Sequence, residues 1–281
     1  GMTAHLSVSE QITARILNPE AREMDRALPE WARRTNPIVK RQLGMYWKLM
    51  PVNGPRIARL FALQVVLILT SIWLPFLFTV LMPLAIISLI TLPLAFGLFA
   101  YVVLQIGMAA AVSMADENRC DSLDLLRVCP RPLNEILYSK SAAAVWRQIE
   151  NLGLVLVAAT FTGLPVLVIL YDRWFSAFDQ PVLSRTMVAL SLGSSILRVV
   201  LESAMAATIG LAVGAGMRRR VPANVTTILL LVAYFAFINL IRMPAWGIEM
   251  RMMVEIFIPT ILPLLLIPAC IRLAIWQIER T

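Results

Sequence analysis

The side chains that could do chemistry in this chain are concentrated between Asp116 and Lys140. This charged segment reads DENRCDSLDLLRVCPRPLNEILYSK and holds nine charged residues. The only histidine is His5, which excludes the HExxH zinc motif and histidine-dependent hydrolysis. None of the twelve glycines is followed by lysine, so the sequence has no G-x-x-x-x-G-K phosphate-binding loop. We therefore expect no enzyme activity, no cofactor site and no metal site in this chain.

Three more ionisable residues stand inside apolar windows. Arg198 and Glu202 are four residues apart, which places them on one face of a helix. Charged groups in membrane helices usually pair with one another or line a cavity. Three interpretations stay open: an internal ion pair that fixes helix packing, a place on a substrate pathway, and a location nearer the outer interface. Glu255 opens the last apolar window and is a further candidate for the pathway or the outer boundary.

The charged segment lies between two long apolar runs. Residues 60–115 contain no Asp, Glu, Lys or Arg, and residues 151–171 are uncharged as well. The whole chain is 59% hydrophobic with a mean hydropathy of +0.77. A bilayer core needs about 20 apolar residues per crossing helix. The sequence therefore predicts an all-α integral membrane protein, whose transmembrane domain covers residues 60–281.

Six apolar windows predict six transmembrane helices. They cover residues 60–81, 94–115, 147–171, 187–217, 221–241 and 252–272. The first uncharged run is long enough for two crossings, and the basic residues on both sides of it favour an even number. We therefore predict two spans there, joined by an apolar outer turn at 82–93.

The distribution of basic residues predicts the orientation. Under the six-span scheme twenty Lys and Arg fall on the side of the two termini, and four fall on the other side. Positive loops stay in the cytoplasm. Both termini and the charged segment are therefore predicted to be cytoplasmic. The cysteines Cys120, Cys129 and Cys270 are expected to be free thiols, as is usual on a reducing cytoplasmic face.

Residues 1–59 are predicted to form a cytoplasmic segment that contains one amphipathic helix at about 37–50. Helical spacing places five apolar residues on one face, Val39, Leu43, Tyr46, Trp47 and Met50. A basic amphipathic helix with aromatic residues usually lies in the membrane interface. The alternative is a helix that packs on a soluble partner.

Within the charged segment the residue types predict two short helices. Asp121 or Ser122 can cap the first helix, whose apolar face would contain Leu123, Leu126 and the pair 128/129. The prolines at 130 and 132 end that helix. A second helix should begin near Leu133. The segment therefore predicts a short amphipathic helix that is held by two spans and presented to the cytoplasm, where it can pass on the motion of a partner.

The order of residues in the charged segment resembles the coupling loop of the permease subunits of type-2 ABC exporters. That loop typically reads Glu-Arg-Glu-x-Gly-Thr-Leu-Glu/Asp-Leu-Leu, then Thr/Ser-Pro and Arg-Glu-Ile-Leu-x-Gly-Lys. The matching residues here are Glu117, Arg119, Ser122, Leu123, Asp124, Leu125, Leu126, Cys129, Pro130, Glu135, Ile136, Leu137 and Lys140. The stretch Asn36–Leu43 is similar to the Asn-Pro-x-x-x-Arg-Glu-Leu opening of the same proteins. Asp121 and Ser139 replace two glycines of the pattern.

The resemblance implies a half-transporter in the plasma membrane of a bacterial or archaeal cell. Two permease copies or paralogues would form the pathway in contact with membrane lipid, and separate ATPase subunits would bind ATP and Mg and grip the coupling residues. No nucleic acid is implied. The residues it assigns to ATPase coupling are Glu117, Ser122, Leu123, Asp124, Leu125, Leu126, Pro130, Glu135 and Lys140. Two other classes remain as alternatives, a secondary carrier driven by an ion gradient and a membrane anchor that transports nothing.

Overall fold

The computed structural model describes residues 23, 25–44, 54–122, 126, 128–175 and 179–280. Within this part of the chain the backbone forms helices and turns and no strand. The helices, numbered in chain order, are α1 Pro37–Leu43, α2 Gly54–Thr70, α3 Phe76–Arg119, α4 Leu133–Arg147, α5 Ile149–Trp174, α6 Pro181–Ala215, α7 Arg220–Arg242, α8 Ile248–Met252 and α9 Ile258–Arg280. A 3-10 turn precedes α1 at Glu30–Ala32, and a π-helical turn at Met253–Phe257 joins α8 to α9.

Five of the described helices are long and apolar enough to cross a membrane. They are Ile86–Arg119 within α3, Ile149–Trp174, Pro181–Ala215, Arg220–Arg242 and Glu249–Arg280. Large apolar side chains stand exposed along them, including Ile90, Leu94, Leu229 and Leu240. Contact of these side chains with lipid tails costs no free energy, whereas their exposure to water is unfavourable. The fold is therefore all-α as predicted, and its helices indicate a multi-pass membrane protein.

The first apolar run is divided differently from the prediction. α2 ends at Thr70, a turn occupies residues 71–75, and α3 continues without a break from Phe76 to Arg119. The window at 60–81 is therefore interrupted, and the predicted turn at 82–93 is wrong. Proline is favoured at the start of a helix, where its missing N–H costs nothing, and Pro75 stands directly before α3. Pro83 and Pro93 lie inside the helix.

The centre of the bundle is the contact between α3 and α6. A Cβ atom on Gly210 would overlap the carbonyl oxygen of Gly107, and one on Gly214 would overlap that of Ala111. The Gly210-x-x-x-Gly214 spacing is typical of this kind of contact, in which two helix backbones approach closely. α7 and α9 complete the same core, to which they contribute Leu231 and Ile271. The close approach fixes the position of the charged segment, because α3 leads directly into it.

Candidate functional site

Two residues that bracket the charged segment form an ion pair. Glu117 lies in the last turns of α3, and Lys140 lies in the middle of α4. The Lys140 Nζ atom donates to Glu117 Oε2 and lies 3.8 Å from Met114 Sδ. The Lys140 side chain is only 3% exposed. The pair therefore closes the loop at its base and holds α3 against α4.

Lys140 depends on this partner electrostatically. Burial lowers the pKa of Lys140 from its usual value, while the charge of Glu117 and its hydrogen bond act in the opposite direction. The nearby charge of Arg41 lowers the pKa of Lys140 further. Removal of one member of a buried pair leaves an uncompensated charge, which is strongly destabilising. Glu117 and Lys140 are thus coupled, although 23 positions separate them in the chain.

The turn that ends α3 contains Asp121, one of the two residues that replace a glycine of the exporter pattern. Both the backbone N–H and the side-chain hydroxyl of Ser122 donate to the carbonyl of Glu117, at 3.0 and 3.1 Å. Asp121 adopts a φ of +52°, in the left-handed region that favours glycine. This arrangement is a Schellman cap, whose left-handed residue is usually glycine. The exporter pattern has glycine at this position, so Asp121 adopts a conformation that glycine would adopt at less cost.

The outer part of the charged segment divides its apolar residues between two sides. Leu126 is half-buried against the main core, whereas Val128 is 83% exposed. Cys129 and Pro130 are exposed beside Val128. The prediction placed Leu126 and the 128/129 pair on one apolar face, and the structure separates them. The remaining predicted residues of this helix, Leu123, Asp124 and Leu125, lie outside the described part of the chain.

α4 starts immediately after the second proline of the segment. Pro132 precedes its first residue, Leu133, which agrees with the predicted start. Glu135 is exposed in the first turn, where a negative charge suits the helix dipole. Ile136 and Leu137 are buried. Pro130 and Glu135 therefore lie on the exposed side of the segment, while the apolar residues between Glu135 and Lys140 hold α4 in the bundle.

The Asn-Pro stretch before α1 contacts the charged segment. Asn36 caps α1, since its Oδ1 accepts from the Ile38 N–H at 3.0 Å. Its Nδ2 donates to Ser139 Oγ at 3.4 Å and to the Glu30 carbonyl at 3.2 Å. Ser139 is the second residue that replaces a glycine of the pattern. The two parts of the sequence that carry the resemblance are therefore in contact.

The apolar face of α1 is covered by α4. Val39 and Leu43 are buried in a cluster with Ala142, Ala143 and Trp146. The helix is described as far as Leu43 and is followed by Gly44 with a φ of +54°, while the predicted continuation to about 50 lies outside the described residues. Tyr46, Trp47 and Met50 lie outside the described part of the chain. A position of this helix in a membrane interface stays a prediction.

Sequence reasoning missed a polar connection between the N-terminal segment and α4. Arg34 is fully buried, with its Nε 3.3 Å from Asp25 Oδ1 and its guanidinium 4.8 Å from the centre of the Trp146 ring. The Trp146 Nε1 donates to the Ala32 carbonyl at 2.8 Å. No local pattern predicts the two contacts of Trp146, because more than a hundred residues separate it from Ala32 and Arg34. These contacts attach residues 25–43 to α4.

A second ion pair links the charged segment to α7. Arg220 binds both carboxylate oxygens of Asp116, with distances of 2.6 and 2.8 Å. Arg220 is one of the twenty basic residues counted on the side of the termini, a count that gives no sign of this contact. This geometry is the bidentate pairing for which arginine is suited. Asp116 and Glu117, neighbours in the sequence, therefore connect α3 to α7 and to α4 respectively.

Arg198, Glu202 and Glu255, which the sequence placed in apolar windows, belong to two groups of charged residues. In the first, Arg198 contacts Glu202 Oε1 through Nε at 3.1 Å and a terminal nitrogen at 2.8 Å, and the Tyr234 hydroxyl lies 3.2 Å from the same oxygen. Glu202 is 1% exposed. In the second, Glu255 lies 3.4 Å from Arg242 and 3.7 Å from Arg251. Each carboxylate is therefore held by arginine, as buried charges in membrane helices require.

Comparison with known proteins found no relative of this chain. No protein-family model, no curated protein and no solved structure matches the chain. Among the described residues, His, Cys, Asp and Glu side chains form no group of three or more that could hold a metal ion. The resemblance to exporter permeases therefore depends on the quoted residues and on how the fold arranges them.

Proposed function

We propose that this chain is the membrane-spanning permease subunit of an ATP-driven exporter of the type-2 ABC class, working as a dimer with separate ATPase subunits. One observation carries the proposal. The segment that matches the coupling loop is anchored at its base by Glu117 and Lys140, and it exposes Val128 and Pro130 at its tip. An exposed apolar tip on a rigid base suits a surface that a partner grips.

The contacts of the charged segment provide a route for motion. A displacement of its tip reaches α3 through Glu117 and α4 through Lys140. From α3 it continues into α6 through the close contact at Gly210, and into α7 through Asp116 and Arg220. A partner that changes shape with ATP can shift the helices only through contacts that differ between its two states. The charged segment thereby connects a bound partner to three spanning helices, α3, α6 and α7.

We count six spans by adding α2 to the five long helices. α2 has 17 residues, at the lower limit of about 17–25 for a crossing helix. It lies along the bundle, where the Gln64 side chain donates to the Thr160 carbonyl of α5 at 2.7 Å. An even number of spans puts both termini on one side together with the charged segment, and the excess of basic residues predicts that this side is cytoplasmic. The contacts of residues 25–43 with α4 support that arrangement.

Co-purification tests the proposal. The tagged chain is isolated from membranes of cells that express it with its candidate ATPase subunit, and bound ATPase is measured by MgATP hydrolysis and by mass spectrometry. Val128→Asp puts a charge on the exposed tip, so we expect at least tenfold less bound ATPase. Because Val128 does not contribute to the core, the variant should fold like the parent.

Val221→Asp is the matched control. Val221 is 74% exposed at the start of α7, where a carboxylate suits the helix dipole. It should retain the ATPase. The proposal fails if Val128→Asp retains as much ATPase as Val221→Asp, or if the chain purifies alone and transports solute without ATP. The second result would favour the secondary carrier.

A further inference from the structure

A cavity of about 550 Å³ lies beside the charged segment, between α1, α3, α4 and α7. Its volume falls within the range of about 300–1,000 Å³ that is usual for small-molecule sites. The polar side chains on its wall are Arg41, Gln42, Gln105, Ser113, Arg147 and Asn224. The cavity shares Asp116 and Lys140 with the proposed coupling contacts, but the space between the four helices is open to a ligand.

The charge on the cavity wall is positive. Asp116 and Lys140 also line it, but each is already engaged, Asp116 with Arg220 and Lys140 with Glu117. The other two positive charges belong to Arg41 and Arg147, which are both exposed, and Arg147 donates one hydrogen bond to the Gln42 carbonyl. Arginine recognises phosphate with paired hydrogen bonds. The wall is therefore suited to a phosphate group.

The cavity is also amphipathic along α3. From Asp116 at its polar end to Gln105 the wall extends about 16 Å along the helix. Met108, Ala109 and Val112 lie between these two residues and supply an apolar surface. This surface leads from the two arginines into the apolar part of the bundle. A ligand with a charged head and an apolar tail fits this gradient.

Asn224 points to a further group on the ligand. Its side-chain oxygen is buried and has no hydrogen-bond partner among the described residues. Buried polar atoms are normally paired, and an acceptor needs a donor. A rotation of the Asn224 side chain brings this oxygen to the cavity, where a hydroxyl group on the ligand's head would supply that donor. The chemistry of the wall thus combines phosphate recognition with a hydroxyl contact.

We propose that this cavity binds the phosphate-bearing, hydroxyl-carrying headgroup of an anionic amphiphile, with Arg41 and Arg147 on the phosphate and Asn224 on the hydroxyl. Basic pockets between membrane helices bind lipid headgroups by this chemistry. The site is distinct from the tip at Val128 and needs no ATPase subunit. Its test is therefore independent of the proposed permease function.

Native mass spectrometry of the purified full chain tests the proposal. The probes are phosphatidylglycerol and phosphatidylcholine with identical acyl chains. We expect at least tenfold greater retention of phosphatidylglycerol. The double variant Arg41→Gln/Arg147→Gln should lower that retention at least tenfold. Asn224→Leu should weaken phosphatidylglycerol binding and leave binding of phosphatidic acid, which lacks the headgroup hydroxyls, unchanged.

The control removes the same charge elsewhere. Arg218 and Arg219 are exposed in the turn between α6 and α7 and do not line the cavity, so Arg218→Gln/Arg219→Gln should retain the lipid fully. Arg41→Lys/Arg147→Lys keeps both charges and should bind between the parent and the glutamine variant. Equal retention of both lipids by the parent overturns the proposal, as does equal loss in the two glutamine variants.

A competition experiment identifies the source of the phosphate. Glycerol 3-phosphate carries the same phosphate and hydroxyl chemistry without acyl chains. If it displaces phosphatidylglycerol at millimolar concentration, the site recognises a soluble phosphate ester. If it does not, the apolar wall at Met108 and Val112 contributes to binding and the ligand is a lipid.

Discussion

Asp121 adopts a backbone conformation that its side chain disfavours. A φ of +52° costs an L-residue about 1–2 kcal/mol, with a smaller cost for aspartate, whereas glycine enters this region freely. Its contact with Arg218, at 3.8 Å between two exposed side chains, contributes little. We therefore expect Asp121→Gly to raise the free energy of unfolding by about 0.5–1 kcal/mol. Thermal unfolding of the purified variant in detergent measures this gain in stability.

The variant Asp121→Ala separates the effect of the backbone conformation on stability from the effect of the carboxylate. It removes the same carboxylate but keeps a Cβ atom, so it should lower the stability while the glycine variant raises it. If both variants shift the unfolding temperature equally, the carboxylate decides the effect and the backbone conformation does not.

The residues of the charged segment show what a sequence can reveal at this scale. Glu117 and Lys140 stand out by their order and spacing, but their contact requires the loop between them to fold back. The contact of Asn36 with Ser139 joins positions 103 residues apart. Residue types reveal candidates for a role, whereas the partner of each candidate depends on tertiary structure.

At the scale of elements, the close contact of α3 with α6 is the most sensitive point of the bundle. A Cβ at Gly210 would meet the Gly107 carbonyl oxygen and lie 3.0 Å from the Ala110 Cβ. Backbone atoms cannot move aside without separating the helices. We expect Gly210→Ala to destabilise the protein by about 2 kcal/mol, in the range known for overpacked cores. The unfolding temperature in detergent measures the loss.

Gly163→Ala is the matched control in α5. Nothing lies within 4 Å of a Cβ atom at Gly163, so this substitution should have no cost and can stabilise the helix. A similar loss at both positions would show that helix flexibility matters and that the α3–α6 contact does not. A loss at Gly210 alone locates the effect at that contact.

The first apolar run shows where element prediction stops. Residues 60–115 carry no charge, so no polar residue marks a turn, and every register of two helices is equally apolar. Prolines at 75, 83 and 93 offer three break points. In the structure the break falls at Pro75, because proline fits the start of α3, while helix α3 accommodates Pro83 and Pro93. The Gly210-x-x-x-Gly214 spacing is more informative, because two glycines four residues apart share one helix face and allow a neighbouring backbone to approach closely.

At the scale of the molecule, three connections meet where α3 ends. Residues 25–43 lie on α4, Lys140 holds α4 to α3, and Asp116 holds α3 to α7. The two ion pairs, Lys140 with Glu117 and Arg220 with Asp116, lie at the end of the bundle that the basic residues predict to be cytoplasmic. The opposite end carries its own charged group around Glu255. The long apolar surfaces between the two ends fix the membrane axis, and the basic residues predict its direction.

Cysteine labelling tests that direction. Cys129 is exposed in the charged segment, and Met243 is 80% exposed just after α7. Three spanning helices, α5, α6 and α7, separate these positions, so they should face opposite sides. Single-cysteine variants in a cysteine-free background are treated with a membrane-impermeant maleimide. In intact cells we expect labelling of Met243→Cys and protection of Cys129, and both should react after permeabilisation.

Glu30→Cys extends the test to the number of spans. Glu30 is exposed and lies 3.9 Å from Arg131 of the charged segment, so it should be protected together with Cys129. Protection of both requires an even number of crossings by α2 and α3, because these are the helices that separate them in sequence. If Glu30→Cys reacts in intact cells while Cys129 does not, α2 does not cross the membrane and the six-span arrangement is wrong. Labelling of Cys129 in intact cells would reverse the orientation, and the charged segment would then be out of reach of an ATPase.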